Sequence, residues 1–272
     1  MRETLDVVVA QSPGELVGPP ARLAWLEGAV ASVGDRAVDL MVLPELFVTG
    51  YHVGDRLGDW AFPRDGDVFR RIARLARDHR LAIHFSYAEQ DGQDIYNSSA
   101  CIDANGCVIG AHRKLLLPPG FEGDHFRGGD HCALFQLGGF SVATLICYDA
   151  EFPENFRQVA NAELVLVPTA LSRQWEVVAH RVMPARAFEN GVYVCYANHC
   201  GHENGLDYLG GSCIVGPDGR DLARAGVSEQ LIFARLERSR VAAARDRLPY
   251  LRDRLKLPWV AAATAASDQK RS

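Results

Sequence analysis

Apolar residues along the chain recur with two periods. Residues 5–10, rich in valine, read as a short buried strand, and 38–43 as another; 140–146 and 164–167 are continuous apolar strands of the kind covered on both faces. Residues 81–88, 96–102, 107–112, 192–197, 211–215 and 231–236 read as further strands. Asp103-Ala104-Asn105-Gly106 is a hairpin signal, and Pro217-Asp218-Gly219 is a turn. Helical spacing governs 20–33, through Leu23, Leu26, Val30 and Val33 behind a proline. It governs 67–80 as well, through Val68, Ile72, Leu75 and Ala76 with basic residues opposite. Residues 173–190 read as a helix that closes before Gly191. Strands alternate with helices but hairpins interrupt the alternation, which predicts an α/β layered fold with a mixed sheet. No linker or repeat divides the chain, so one domain is expected over 1–260, followed by a small, polar, frayed tail over 261–272.

Composition narrows the function. The chain has 272 residues, 48% of them hydrophobic, enough for a sizeable core without metal or disulfide staples. Its net charge of −5 lacks the positive field that phosphate contact requires, which argues against a nucleic-acid partner. No apolar run approaches the roughly 18 residues of a membrane helix, so no membrane partner is expected. The start of the chain, with Glu3 and Asp6, reads as a strand and not as a secretion signal. Seven cysteines, an odd number with no C-x-x-C pair, point to free thiols in a reducing compartment, hence a cytoplasmic protein. Cys101, Cys107, Cys195 and Cys213 read as packing, and His79, His84 and His180 as ordinary surface or core histidines. Cys200 lies between His199 and His202, but a zinc site would need further ligands that cannot be placed, so no metal is expected.

Three strands stop at residues able to do chemistry. Residues 38–43 run into Pro44-Glu45, 107–110 into His112-Arg113-Lys114, and 140–146 into Cys147-Tyr148-Asp149. Active sites of open α/β sheets collect where strands end. Singly, each residue has a plain structural explanation: a surface carboxylate, a solvated loop charge, an inert packed thiol. Together they make a base, a cation and a nucleophile, the set that cysteine chemistry requires.

Pro44-Glu45-Leu46-Phe47, His112-Arg113-Lys114-Leu115 and the block from Cys147-Tyr148-Asp149 to Pro153-Glu154 resemble the three signature blocks of the nitrilase superfamily, the carbon–nitrogen hydrolases, in order and in spacing. Leu166-Val167-Pro168-Thr169-Ala170, the stretch from Ala185 to Tyr193 and the stretch from Gly210 to Gly219 resemble its later blocks. The resemblance covers nearly the whole chain. It implies a four-layer α-β-β-α sandwich, usually dimerised through its outer helices, so a homodimer or a higher homo-oligomer is expected. It also implies Glu45 as general base, Lys114 as transition-state stabiliser and Cys147 as nucleophile. Glu122, in Gly120-Phe121-Glu122-Gly123, matches the family's second glutamate, which helps position the amide or polarise the lysine; a loop carboxylate is the alternative.

The implied reaction is cleavage of a small carboxamide to the acid and ammonia through a cysteine thioester, with no cofactor. Pro44-Glu45-Leu46-Phe47-Val48-Thr49-Gly50-Tyr51 resembles the amidase branches, and Tyr148-Asp149-Ala150 replaces the Trp-Glu-Asn usual in true nitrilases. An N-carbamoyl amidohydrolase or a nitrilase of the same superfamily stays open, as do an inactive scaffold and a thiol sensor. Glu151 stands where many members carry arginine. The segment looks like that of amidases acting on amino-acid amides, including R-stereoselective ones, so Glu151 is expected to favour a substrate with a cationic amine. A structural ion pair with an arginine such as Arg173 is the equal alternative. Tyr51, Tyr148 and Trp175, with Trp60 and Phe121, are expected to wall the acyl pocket, and Thr169 and Ala170 to contribute to substrate binding.

Overall fold

The computed structural model describes residues 2–258. Along the first half the strands are β1 (Thr4–Gln11), β2 (Leu40–Val42), β3 (Ala82–Asp91), β4 (Asp94–Ile102), β5 (Val108–Arg113), β6 (Leu134–Leu137) and β7 (Phe140–Thr144). The second half adds β8 (Leu164–Thr169), β9 (Tyr193–Asn198), β10 (His202–Glu203), β11 (Leu206–Asp207), β12 (Cys213–Val215), β13 (Asp221–Arg224) and β14 (Gln230–Glu237). One six-stranded sheet runs β14-β1-β2-β3-β4-β5 and the other β13-β12-β9-β8-β7-β6. Each has a parallel trio at its centre, β1-β2-β3 and β7-β8-β9, flanked by antiparallel strands. Short β10 and β11 pair as a separate hairpin.

The period-2 geometry of the strands explains why β1 is apolar throughout. Leu5, Val7 and Val9 face Val142, Leu164, Leu166 and Cys195 between the two sheets. Val8 and Ala10 point the other way, against Leu26 and Val30 of α1 (Gly18–Val33). Phe69, Ile72 and Ala76 of the next long helix, α2 (Asp67–His79), cover Ile83 and Phe85 on the same face. On the second sheet Ala143, Val165, Val167 and Val194 pack against Phe156 of α3 (Pro153–Gln158) and Met183 and Ala187 of α4 (Met183–Asn190). The result is four layers, helix–sheet–sheet–helix, as the resemblance implies.

Two expectations need correction. The helix expected over 173–190 is three pieces: a 3₁₀ turn Arg173–Trp175, a π turn Val178–Val182, then α4. Pro184 lies in the first turn of α4; lacking an N–H and crowding the preceding turn, it interrupts a continuous α-helical ladder. Gly191 ends α4 in the left-handed conformation, φ 56°, as the position of a glycine there predicts. Cys107 is exposed beside the Asp103–Gly106 turn and does not pack in the core. The tail expected over 261–272 lies outside the described residues.

Candidate active site

Glu45, Lys114 and Cys147 each follow a strand end, and the fold turns those ends toward one another. Glu45 comes three residues after β2. Its N–H donates to the Thr169 carbonyl (3.3 Å), and its own carbonyl accepts from His199 Nε2 (2.8 Å). Since the carbonyl only accepts, Nε2 carries the proton and Nδ1 accepts from Ser12 Oγ (3.0 Å). Burial, with Arg22 nearby, pushes the His199 pKa down to about 4, so the ring is neutral. Cys147 follows β7 and opens the 3₁₀ helix Cys147–Glu151 with φ 46°, a left-handed conformation uncommon for a non-glycine residue. Such local strain is held by surrounding contacts, and here Asp149 supplies them. Its buried carboxylate accepts from the N–H groups of Ile146 (3.3 Å), Leu115 (3.1 Å) and Leu116 (2.9 Å) and from His112 Nε2 (3.1 Å). One side chain thus ties the cysteine turn to the segment that carries Lys114.

The charged groups form one buried cluster. Lys114 Nζ donates to Glu45 Oε1 (2.7 Å) and to Glu122 Oε1 (2.6 Å). Glu122 sits in a single helical turn, Phe121–His125. Asn97 of β4 donates through Nδ2 to Glu45 Oε1 (2.7 Å) and Glu122 Oε2 (3.1 Å), and the Tyr51 hydroxyl donates to Glu122 Oε1 (2.7 Å). Glu45 Oε2 is buried and has no hydrogen-bond partner among the described residues. Two carboxylates and one ammonium leave an excess negative charge out of water. Burial therefore lifts the Glu45 pKa to about 7; Lys114 opposes the rise and Glu122 adds to it. For Lys114 burial works against the ammonium, but Glu45, Cys147 and Glu122 outweigh it and hold the group protonated. The Cys147 thiol is pushed well up, first by burial and then by Glu45, against the pull of Lys114 and a hydrogen bond from the Ala170 backbone. The resting sulfur is a neutral thiol beside a cation and a carboxylate with an open lone pair.

The other expected residues are placed as follows. Thr169 ends β8, with its hydroxyl on the Val167 carbonyl (3.4 Å), next to Ala170. The Tyr148 ring meets Phe152 edge-on at 4.9 Å. Glu151 is partly buried; burial raises its pKa, while Lys114 and Arg186 pull it down. Among the described residues no ion pair joins it to Arg173. Trp175 is 55% exposed. A cavity of about 670 Å³ lies to one side, lined in part by His52, Arg56, Trp60, His202 and Glu203; neither Cys147 nor Lys114 lines it. Trp60 lines that cavity and also packs in one apolar cluster with Tyr51 and Phe121. No group of three or more His, Cys, Asp or Glu side chains suited to a metal occurs among the described residues, and Cys200 is buried with its thiol on the Ser12 carbonyl. Asn97, Asp149 and His199 escape a reading of the sequence. The one signal for Asn97 is a polar residue inside a strand, and its partners are remote in the chain.

The carbon-nitrogen hydrolase family profile matches residues 9–246. The chain belongs to this family. It is similar to a protein called "Hydrolase in pqqF 5'region" from Pseudomonas protegens, 41% identical over 93% of this chain and 90% of that protein. It is also similar to an (R)-stereoselective amidase from a Pseudomonas species, 33% identical over 84% of this chain and 83% of that protein. Among solved structures, the amidase of Nesterenkonia sp. AN1 in complex with acrylamide superposes with a TM-score of 0.82 at 31% identity, covering 92% of this chain and 93% of that one. Another structure of that amidase shows covalent addition of the acetamide moiety of fluoroacetamide at its active-site cysteine.

Proposed function

We propose that this chain, a cysteine-dependent amidase of the nitrilase superfamily, hydrolyses small carboxamides with Cys147 as nucleophile, Glu45 as base and Lys114 as electrostatic partner. The observation that carries the reading is the Glu45 carboxylate. Oε1 is held by Lys114 and Asn97, Oε2 is buried without a hydrogen-bond partner among the described residues, and Glu45 and Lys114 both act on the charge of the Cys147 thiol. As the sulfur attacks the amide carbon, Oε2 takes the thiol proton. The oxyanion is met by Lys114 Nζ and the Tyr148 N–H; loss of one such donor typically costs about 2.7–4 kcal/mol. Glu45 returns the proton to the departing amine, ammonia leaves, and a thioester remains on Cys147. Glu45 then draws a proton from water, which attacks the thioester; the C–S bond breaks, Glu45 returns that proton to the Cys147 sulfur, and the acid is released. Glu122, tied to Lys114, Asn97 and Tyr51, holds the ammonium in place.

The substrate carries a cationic amine near its acyl group, facing Glu151. What supports this is a partly buried carboxylate with no ion pair among the described residues. The protein works as a homodimer in the cytoplasm. Seven free thiols support the compartment, and exposed Phe188 and Tyr250 on the outer helical layer support the contact.

The test is ammonia release from a panel of neutral and amine-bearing amides, with mass spectrometry of the intact protein during turnover. Wild type is expected to release ammonia and to carry the acyl increment, and Cys147→Ser to do neither. Glu151→Gln is expected to lower the preference for amine-bearing over neutral amides about tenfold, the size of one charge interaction partly screened by water. An unchanged ratio removes Glu151 from the pocket. No ammonia from any amide refutes the amidase assignment of these residues.

A further inference from the structure

Resting on the proposed site, we infer that Glu203 is a positioning residue: held by Arg22, it clamps the backbone at Tyr51 and His52 so that the Tyr51 hydroxyl stays on Glu122. Glu203 belongs to the β10–β11 hairpin, far in sequence from every group the reaction uses. Its Oε2 accepts from the N–H groups of Tyr51 and His52 (3.1 Å each) and from the Tyr208 hydroxyl (2.5 Å). Its Oε1 accepts from Arg22 Nη2 (2.8 Å), which also donates to the Gly14 carbonyl (3.1 Å). Arg22 is fully buried, and its Nε and Nη1 have no hydrogen-bond partner among the described residues. Burying such a pair gains little stability over an apolar replacement, and two orphaned donors make the exchange worse. The arrangement has a different use, and its geometry indicates which.

The clamped peptide follows Gly50, whose φ of 92° and missing side chain are both required. A Cβ there would lie 2.7 Å from Glu203 Oε1 and 2.7 Å from Val53. The glycine lets the carboxylate come up to the chain at the point where it leaves the Glu45 turn, which is itself closed by Gly50 N–H on the Leu46 carbonyl (2.7 Å). From there the path is short. Two consecutive N–H groups on one carboxylate oxygen fix the Tyr51 backbone. The Tyr51 hydroxyl donates to Glu122 Oε1, the same oxygen that receives Lys114. With the clamp loosened, Glu122 keeps its charge but loses a donor, and Lys114 is divided differently between Glu122 and Glu45.

A double-mutant cycle tests this, with kcat and KM measured by ammonia release from the best amide of the panel. Tyr51→Phe and Glu203→Gln are each expected to lower kcat about tenfold, roughly the worth of one hydrogen bond to a charged group, with KM changed less than about twofold. The double variant is expected to match Tyr51→Phe alone, because Glu203 acts through that hydroxyl. A double variant about a hundredfold down, the product of independent losses, overturns the inference and returns Glu203 to general structural support. Wild-type kcat in either single variant overturns it too. If Glu203→Gln does not fold, the cycle is run with Tyr208→Phe, which takes one donor from Oε2 and leaves the ion pair. A kcat loss that disappears in the Tyr51→Phe background supports the clamp; an undiminished loss, or none, overturns it. Wild-type protein that releases no ammonia fails the proposed function itself, which separates the two failures.

Discussion

The two oxygens of Glu45 have unlike surroundings, and that difference sets the pH behaviour of the site. Oε1 is bound by a cation and an amide; Oε2 is buried away from water with no hydrogen-bond partner among the described residues. The base proposed here must be deprotonated to accept the thiol proton, and burial has lifted Glu45 to about 7. Activity is therefore expected to fall as pH drops through about 7, with log kcat/KM losing one unit per pH unit and levelling off above. Asn97 stabilises the charged carboxylate by donating to it, so removing the donor favours the protonated form. In Asn97→Leu the midpoint of the acid limb is expected to move to higher pH, read from rate profiles of the two proteins side by side. An unmoved midpoint means that the limb belongs to a group other than Glu45.

At the level of elements, the site is a set of strand ends joined by side chains that come from elsewhere. Asp149 is the clearest joint. Its carboxylate holds the N–H groups of Leu115 and Leu116 after β5 and of Ile146 after β7, so the lysine segment and the cysteine turn share one anchor. Asp149→Asn offers one oxygen where two are used and turns an amide NH₂ toward backbone N–H groups. It is expected to cost about 2–4 kcal/mol by urea unfolding, and to lower kcat at least tenfold in protein that is still folded. Full kcat in the variant would show that the anchor is not needed for catalysis.

The elements also show what can be read from the chain beforehand. β1, β7, β8 and β9 are legible because both of their faces are largely apolar, a consequence of lying between a helix layer and a second sheet. Glu45, Lys114 and Cys147 are legible because each ends such a strand, and the family resemblance adds Glu122. Asn97, Asp149, His199 and Glu203 are not. Each is a polar residue that looks like a surface position until a partner 25 or more residues away is brought against it, as when Asn97 meets Glu45 and Glu122. The break at Pro184 is a local signal that a count of apolar positions over 173–190 passes over.

Across the whole molecule, the two sheets are stitched by neutral histidines. His84 of β3 reaches across to Thr144 of β7 (3.1 Å), and His199 after β9 reaches back to the Glu45 carbonyl (2.8 Å). Burial pushes His84 down to about 3, with His112 adding to it, and His199 down to about 4. A histidine whose folded pKa lies below its unfolded value of 6.5 contributes stability above pH 6.5 and loses it as pH falls toward the folded value. Glu45 has the opposite sign. Raised from 4.5 to about 7, it binds a proton in the folded state that the unfolded chain does not hold between those values, so its contribution grows as pH falls through 7. Between about pH 5 and 6 the unfolded chain therefore takes two histidine protons against one carboxylate proton in the folded state. The net of about one proton from these three groups contributes a fall in unfolding free energy of about 1.4 kcal/mol per pH unit on acidification. Glu45→Gln removes the opposing group and should steepen the slope by about 1.4 kcal/mol per pH unit, while His84→Gln should flatten it by about the same amount. Urea unfolding of the three proteins across that interval checks both signs together. Equal slopes would mean that the histidines stay charged inside the folded protein, and that the sandwich is not closed by neutral imidazoles.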